Sequence, residues 1–214
     1  MGDASGRALA APIIGIAATP DHGGYYLLGA DGGVFTFGDA HFHGSTGAMR
    51  LDAPVVSMAV TPNGTGYWLA ASDGGIFTFG NAPFHGSLGG IKLARPVVAM
   101  TTDGHTSGYW MVASDGGVFS FDAPFYGSAA RVPLAQPVVG MSPQPDNGGY
   151  RLVARDGGVF DYGDATFYGS LPGLHVTNPG VTTMTASIDG RGYYLINAAG
   201  QVWAFGDAPF VGNA

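Results

Sequence analysis

The 214-residue chain has no cysteine and no glutamate, and Lys92 is its only lysine. Without cysteine, disulfides and thiolate metal sites are excluded, and the redox compartment stays open. It also lacks any apolar run of about 18 residues, so no helix of it is expected to span a bilayer. Only 11% of residues are charged, and all fifteen acids are aspartates. Glutamate and lysine are the usual material of exposed helix faces, whereas glycine, with 38 copies, is costly inside a helix. The chain is therefore poorly suited to helices and well suited to strands and turns. A net charge of −7, with eight basic residues spread singly, argues against a nucleic-acid or anionic-membrane surface. The first eleven residues lack the apolar segment of a signal peptide, which fits a cytosolic chain or one whose leader has been removed.

What is present is repetition. Hydrophobic residues make up 46% of the chain, enough for a sizeable core. The stretch Gly66-Tyr67-Trp68-Leu69-Ala70-Ala71-Ser72-Asp73-Gly74-Gly75-Ile76-Phe77-Thr78-Phe79-Gly80 reads as a β-hairpin. Asp-Gly between two alternating runs predicts a type I′ turn, with positive φ at both central residues. Versions of this text run from Tyr25 to Phe37, Tyr109 to Phe121, Tyr150 to Tyr162 and Tyr193 to Phe205. The prolines that lead each copy, Pro12, Pro54, Pro96, Pro137 and Pro179, lie 42, 42, 41 and 42 residues apart. That period belongs to blades or solenoid units. Each repeat opens with a short β-branched strand, such as Val55-Val56-Ser57-Met58. The hairpin follows, then a turn, then a weaker fourth strand at Phe42-His43-Gly44-Ser45 and its equivalents.

These features predict an all-β, five-bladed β-propeller of four antiparallel strands per blade, forming a single domain over residues 1–214. The fifth repeat lacks its last seven residues, and Ser5–Ala11 supplies matching ones, so the N-terminus is expected to complete the last blade and close the ring. An open solenoid would need polar caps, whereas these ends complement each other. Met1-Gly2-Asp3-Ala4 duplicates Val211-Gly212-Asn213-Ala214 in register, so only one of the two segments is expected to be ordered, and the five units read as cut from a longer array.

The block Gly-Tyr-Trp-Leu-Ala-Ala-Ser-Asp-Gly-Gly-Ile-Phe-Thr-Phe, followed by Gly-Asn-Ala-Pro-Phe-His-Gly-Ser, resembles a repeat of exported actinobacterial proteins. The resemblance implies an extracellular or cell-surface setting and an accessory role, with no defined activity. In size and blade number the chain is also similar to five-bladed lectins of the tachylectin type. That second likeness implies amino-sugar sites between blades, although fold alone does not give function.

Catalysis needs positions that break the repeat, and few exist. No carboxylate lies on the first strands, where Ile16, Met58, Met100 and Met141 recur, so the pair that glycoside hydrolysis requires is absent there. Asp161, where other repeats carry Thr, Ser or Ala, is the one foothold for an enzyme. The histidines form no ligand set: His43 and His85 share a position with Tyr126, Tyr168 and Val211. No catalytic residue, metal or cofactor is therefore expected. The turn aspartates, such as Asp31 and Asp73, fit local turn chemistry.

Two aromatic positions remain as candidate ligand sites: Tyr26, Trp68, Trp110, Arg151 and Tyr194 at one, and His43, His85, Tyr126 and Tyr168 at the other. Each of these side chains has an apolar body and a polar tip, which suits a half-exposed place stacking on sugar rings. Arg in place of Trp is hard to accept in a dry core. The resulting expectation is a non-enzymatic, monomeric ring that binds glycans at repeated weak sites, reinforced by multivalency. The alternative is a structural or protein-interaction scaffold. Its partner is a glycan or a surface protein, with no nucleic acid and no membrane insertion.

Overall fold

Alternating apolar runs of four to six residues, punctuated by glycine, form strands and nothing longer. The computed structural model describes residues 3, 4, 6, 8–210, 212 and 213. Among them the sheets are five, each antiparallel and three-stranded. The first holds β1 (Ile13–Ala18), β2 (Gly24–Gly29) and β3 (Val34–Gly38); the second β4 (Val55–Val60), β5 (Gly66–Ala71) and β6 (Ile76–Gly80). The third holds β7 (Val97–Thr102), β8 (Tyr109–Ala113) and β9 (Val118–Phe121); the fourth β10 (Val138–Pro143), β11 (Gly149–Ala154) and β12 (Val159–Gly163). The fifth holds β13 (Val181–Ala186), β14 (Gly192–Asn197) and β15 (Val202–Gly206). In each sheet the strands follow chain order. One 3-10 turn, Pro172–Leu174, is the helical structure among the described residues.

The chain divides into two compact units, residues 1–111 with 121–123 and residues 112–120 with 124–214. In the first unit Tyr26, Leu28, Val55, Tyr67 and Leu69 form a buried core, and in the second Val153, Leu171, Val181, Tyr193 and Leu195 do. Within each unit, first strands of neighbouring repeats meet side by side. Ser57 Oγ accepts the Met100 N–H at 3.1 Å in the first unit, and Ser142 Oγ accepts the Ala186 N–H at 3.1 Å in the second. Met100, Met141 and Met184 are buried on these strands, whereas Ile16 is exposed. A feature the sequence did not announce is a register shift near the start of the first strand, between Val55 and Ser57 and at the equivalent places in repeats one, four and five. One extra residue there bends the strand and strengthens its twist.

Two turn expectations are corrected. The hairpin loop has three residues, not two: Gly29 N–H bonds Gly33 O at 2.8 Å and Gly32 N–H bonds Gly29 O at 2.9 Å. Only the glycine after the aspartate is left-handed, with φ of +77° at Gly32 and +81° at Gly74. This is the loop in which a turn ends on a left-handed glycine, and the aspartate stays at negative φ. Its carboxylate accepts the N–H two residues on, at 2.9 Å from Gly33 to Asp31 and from Gly75 to Asp73, as turn chemistry predicted.

The expected fourth strand does not join the ladder. That segment returns one bond to the hairpin loop, such as Leu88 N–H to Gly74 O at 2.9 Å. Proline before the phenylalanine removes a donor in three of the copies, and the glycine at Gly44, Gly86, Gly127 and Gly169 holds φ between +131° and +139°. The shorter third repeat is also explained. Asp122 stands at the left-handed position that Gly80 fills in the second repeat, with φ of +49°. Completion of the fifth repeat by Ser5–Ala11, and the duplication of residues 1–4 in 211–214, fall partly on residues 1, 2, 5, 7, 211 and 214, outside the described residues.

Candidate functional site

The second strand of each repeat runs through the middle of its sheet, so both of its faces are covered. Tyr26, Trp68, Trp110 and Arg151 are all fully buried, and only Tyr194 is partly exposed. The half-exposed placement expected for the first four is thereby corrected, since none of them offers a face to solvent. The exchange of Trp for Arg and Tyr then acquires a simple reason. Trp68 Nε1 donates to Pro83 O at 2.7 Å, Arg151 Nη2 to Thr166 O at 3.1 Å, and the Tyr194 hydroxyl to Pro209 O at 3.1 Å. Each reaches the carbonyl fifteen residues downstream. In these three repeats the position carries a long, flat side chain ending in a donor, and three residue types supply one.

Arg151 offsets the cost of a buried cation with hydrogen-bond partners at both Nη atoms and a carboxylate beside Nε. Nη1 donates to Gln144 Oε1 at 2.6 Å, Nη2 also approaches Gly190 O at 3.3 Å, and the guanidinium lies 5.1 Å from the Tyr193 ring centroid. Nε stands 3.0 Å from Asp161 Oδ1, a charge contact without hydrogen-bond alignment. Asp161 sits opposite Arg151 in the strand register. Burial pushes its carboxyl above the ordinary range despite the pull of Arg151. The acid that broke the repeat is thus the counter-ion of the arginine that broke it too.

The second candidate set is half-buried and faces the next repeat. The ring centroids of His43 and Tyr67 are 5.7 Å apart, those of His85 and Tyr109 5.9 Å, of Tyr126 and Tyr150 5.7 Å, and of Tyr168 and Tyr193 6.0 Å. The tyrosines tie the same segment down. The Tyr67 hydroxyl donates to Gly44 O at 2.5 Å and accepts the His43 N–H at 3.1 Å. Tyr109 donates to Gly86 O at 2.6 Å, Tyr150 to Gly127 O at 2.6 Å and Tyr193 to Gly169 O at 2.5 Å. Burial raises all four hydroxyl pKa values, those of Tyr150 and Tyr193 to about 12. Val211, the fifth member of the set, lies outside the described residues.

These two grips leave one residue between them. In the second repeat, Trp68 holds the Pro83 carbonyl and Tyr109 holds the His85 N–H and the Gly86 carbonyl. Phe84, between them, is 61% exposed. Phe42, Phe125, Phe167 and Phe210 occupy the same position and are exposed to between 56% and 60%. Two belong to the first unit and three to the second. Sequence reasoning used these phenylalanines as landmarks and missed them as a site. The available signal was their constancy, since the residues before them vary among His, Pro and Thr and those after among His, Tyr and Val. Around Phe84 and Phe167 the segment is fixed from both sides, and a large exposed apolar side chain on such a segment suits contact with a partner.

Among the described residues no three His, Cys, Asp or Glu side chains gather as a metal would need, and no helix is long and apolar enough to cross a membrane.

No family model matches the chain, and no curated protein matches it in sequence. Solved structures do match in shape. The β-propeller domain of Cps50 (Swd1) from Myceliophteria thermophila superposes with a TM-score of 0.54 at 8% identity, over 93% of this chain and 67% of that one. A structural-genomics protein of unknown function from Bacteroides thetaiotaomicron superposes with a TM-score of 0.62 at 14% identity, over 92% of this chain and 60% of that one. At these identities the likeness shows fold alone: an all-β chain of the β-propeller type with five repeated blades.

Proposed function

We propose that this chain is a non-enzymatic interaction module, a propeller scaffold that presents one phenylalanine per repeat to a protein partner. The observation that carries the reading is the exposure of Phe42, Phe84, Phe125, Phe167 and Phe210, with the segments of Phe84 and Phe167 held on both sides by buried donors. A rigid segment leaves less entropy to lose on binding. In this reading the repeats close into one ring, with Ser5–Ala11 completing the fifth blade.

Glycan binding is the second reading, and it moves from the buried tryptophans to the phenylalanines. Its support is the exposed aspartate three residues before Phe42, Phe125, Phe167 and Phe210, because a phenyl face and a carboxylate together suit a sugar ring and its hydroxyls. A variant with all five phenylalanines changed to serine, checked for unchanged circular dichroism, separates the readings on parallel peptide and glycan arrays. The interaction reading expects peptide binding that the variant loses and silence from sugars. Binding competed by a free sugar replaces it with the lectin reading. Binding that the variant retains overturns the phenylalanine assignment.

A further inference from the structure

At the loop joining the first and second strands two repeats lose a proline, the third to Gly104 and the fifth to a large apolar residue. Where repeats one, two and four carry Pro20, Pro62 and Pro145, the fifth carries Ile188, which is 96% exposed. Ile188 and Pro209 contribute apolar lining to a cleft of about 390 Å³ that Tyr194, Asp189 and Asp207 also line. Phe210 follows Pro209 directly and is exposed as well. Resting on the interaction reading, we propose that this cleft docks a basic protein segment with apolar flanks: a lysine or arginine lays its alkyl stem on Ile188 and Pro209 and its cation between Asp189 and Asp207.

Charge complementarity selects that occupant. At this end of the second unit Asp146, Asp164, Asp189 and Asp207 are exposed, and Arg191 is the one exposed cation there among the described residues. The loops of the fourth and fifth repeats adjoin, since a Cβ on Gly190 would stand 3.0 Å from Pro145 Cδ. The acids of both repeats therefore act on one partner. Asp189 Oδ1 accepts the Ser187 hydroxyl at 2.8 Å and the Arg191 N–H at 3.1 Å, and its carboxylate lies against that of Asp207, so the two acids present their charge together. Partial desolvation, and then the contact with Asp189, push the Asp207 carboxyl upward against the opposing pull of Arg191, as expected of two carboxylates held close together. An anionic lipid surface or a nucleic acid meets repulsion here. A long cationic side chain satisfies both halves of the cleft, stem on apolar wall and head on carboxylate.

The test uses the full chain and three labelled twelve-residue peptides in fluorescence anisotropy: alternating Lys-Leu, alternating Glu-Leu and alternating Lys-Ser. The Lys-Leu peptide is expected to bind, more weakly as salt rises, and the other two are not. Ile188→Ser and the Asp189→Asn/Asp207→Asn pair should each weaken it by about ten-fold or more, the loss expected for one apolar anchor or one desolvated charge contact. Asparagine keeps the turn hydrogen bonds, so folding is preserved, and a thermal melt confirms it. Equal binding of Lys-Ser and Lys-Leu overturns the proposal, because charge alone would then account for it. Lys-Leu binding unchanged in both variants also overturns it. In that case a variant with Phe42, Phe84, Phe125 and Phe167 changed to serine assigns the failure: if it loses binding, the interaction reading stands without the cleft, and if it keeps binding, both fall.

Discussion

At the residue scale the instructive position is Arg151. A fully buried guanidinium is tolerated because its donors face Gln144, Thr166, Gly190 and Asp161, and because the Tyr193 ring lies against it. Trp68 performs the same grip with one N–H and needs no counter-ion. Arg151→Trp should therefore restore the grip on Thr166 but strand Asp161 in the core, costing about 3 kcal/mol or more in urea denaturation. Adding Asp161→Thr, the residue found at Thr36 and Thr78, should recover most of that loss. If the single and double variants are equally unstable, the pairing of these two departures is wrong. From sequence, Arg151 and Asp161 were two separate oddities. Their partnership became visible only through the register of β11 and β12.

At the scale of the element, the hairpin was legible and its loop was not. Asp-Gly between alternating runs fixed where the chain reverses, but the number of loop residues depends on which pair closes the ladder. Gly29–Gly33 closes it, so a single left-handed glycine suffices. Two glycines separate backbone strain from crowding. Gly74 has φ of +81°, and a Cβ there would stand 2.5 Å from Leu88 Cβ, whereas Gly90 has φ of +82° with nothing within 4 Å. Gly90→Ala should cost about 1 kcal/mol, the left-handed penalty alone. Gly74→Ala should cost clearly more, because Leu88 must also move. Equal thermal midpoints for the two variants would remove the crowding term. The fourth strand failed for a related reason: apolar residues at strand spacing do not make a ladder when the donors are directed elsewhere. Here the His43 and His85 N–H groups go to tyrosine hydroxyls.

For the molecule as a whole, those tyrosines link repeat to repeat, and they make stability depend on alkaline pH. Tyr150 and Tyr193 hold their protons in the folded chain up to about pH 12, against an ordinary value of 10.0. Between those values the unfolded chain loses protons that the folded chain keeps, so stability falls as pH rises from about 10 to 12. The clamp contribution is fully present below pH 10. Denaturant midpoints taken from pH 8 to 12 should decline only above pH 10. Tyr150→Phe/Tyr193→Phe should lower the midpoint at pH 8 and flatten the decline. A wild-type midpoint that stays level to pH 12 would contradict the burial of these hydroxyls.

The sequence by itself determined the all-β class, the five repeats and the position of every hairpin, because alternation and turn residues are local signals with a fixed period. It also marked the two aromatic positions as special. Only the tertiary structure decided what they do. A tyrosine, tryptophan, histidine or arginine has the same apolar body and polar tip whether its tip meets solvent or a neighbouring carbonyl, and that partner lies fifteen or more residues away. Exposure follows the same logic in reverse. Phe77 and Phe84 are the same residue type in one repeat, yet Phe77 packs against the core of the first unit and Phe84 does not. The difference lies in where Trp68 and Tyr109 fasten the chain, and no local pattern encodes it.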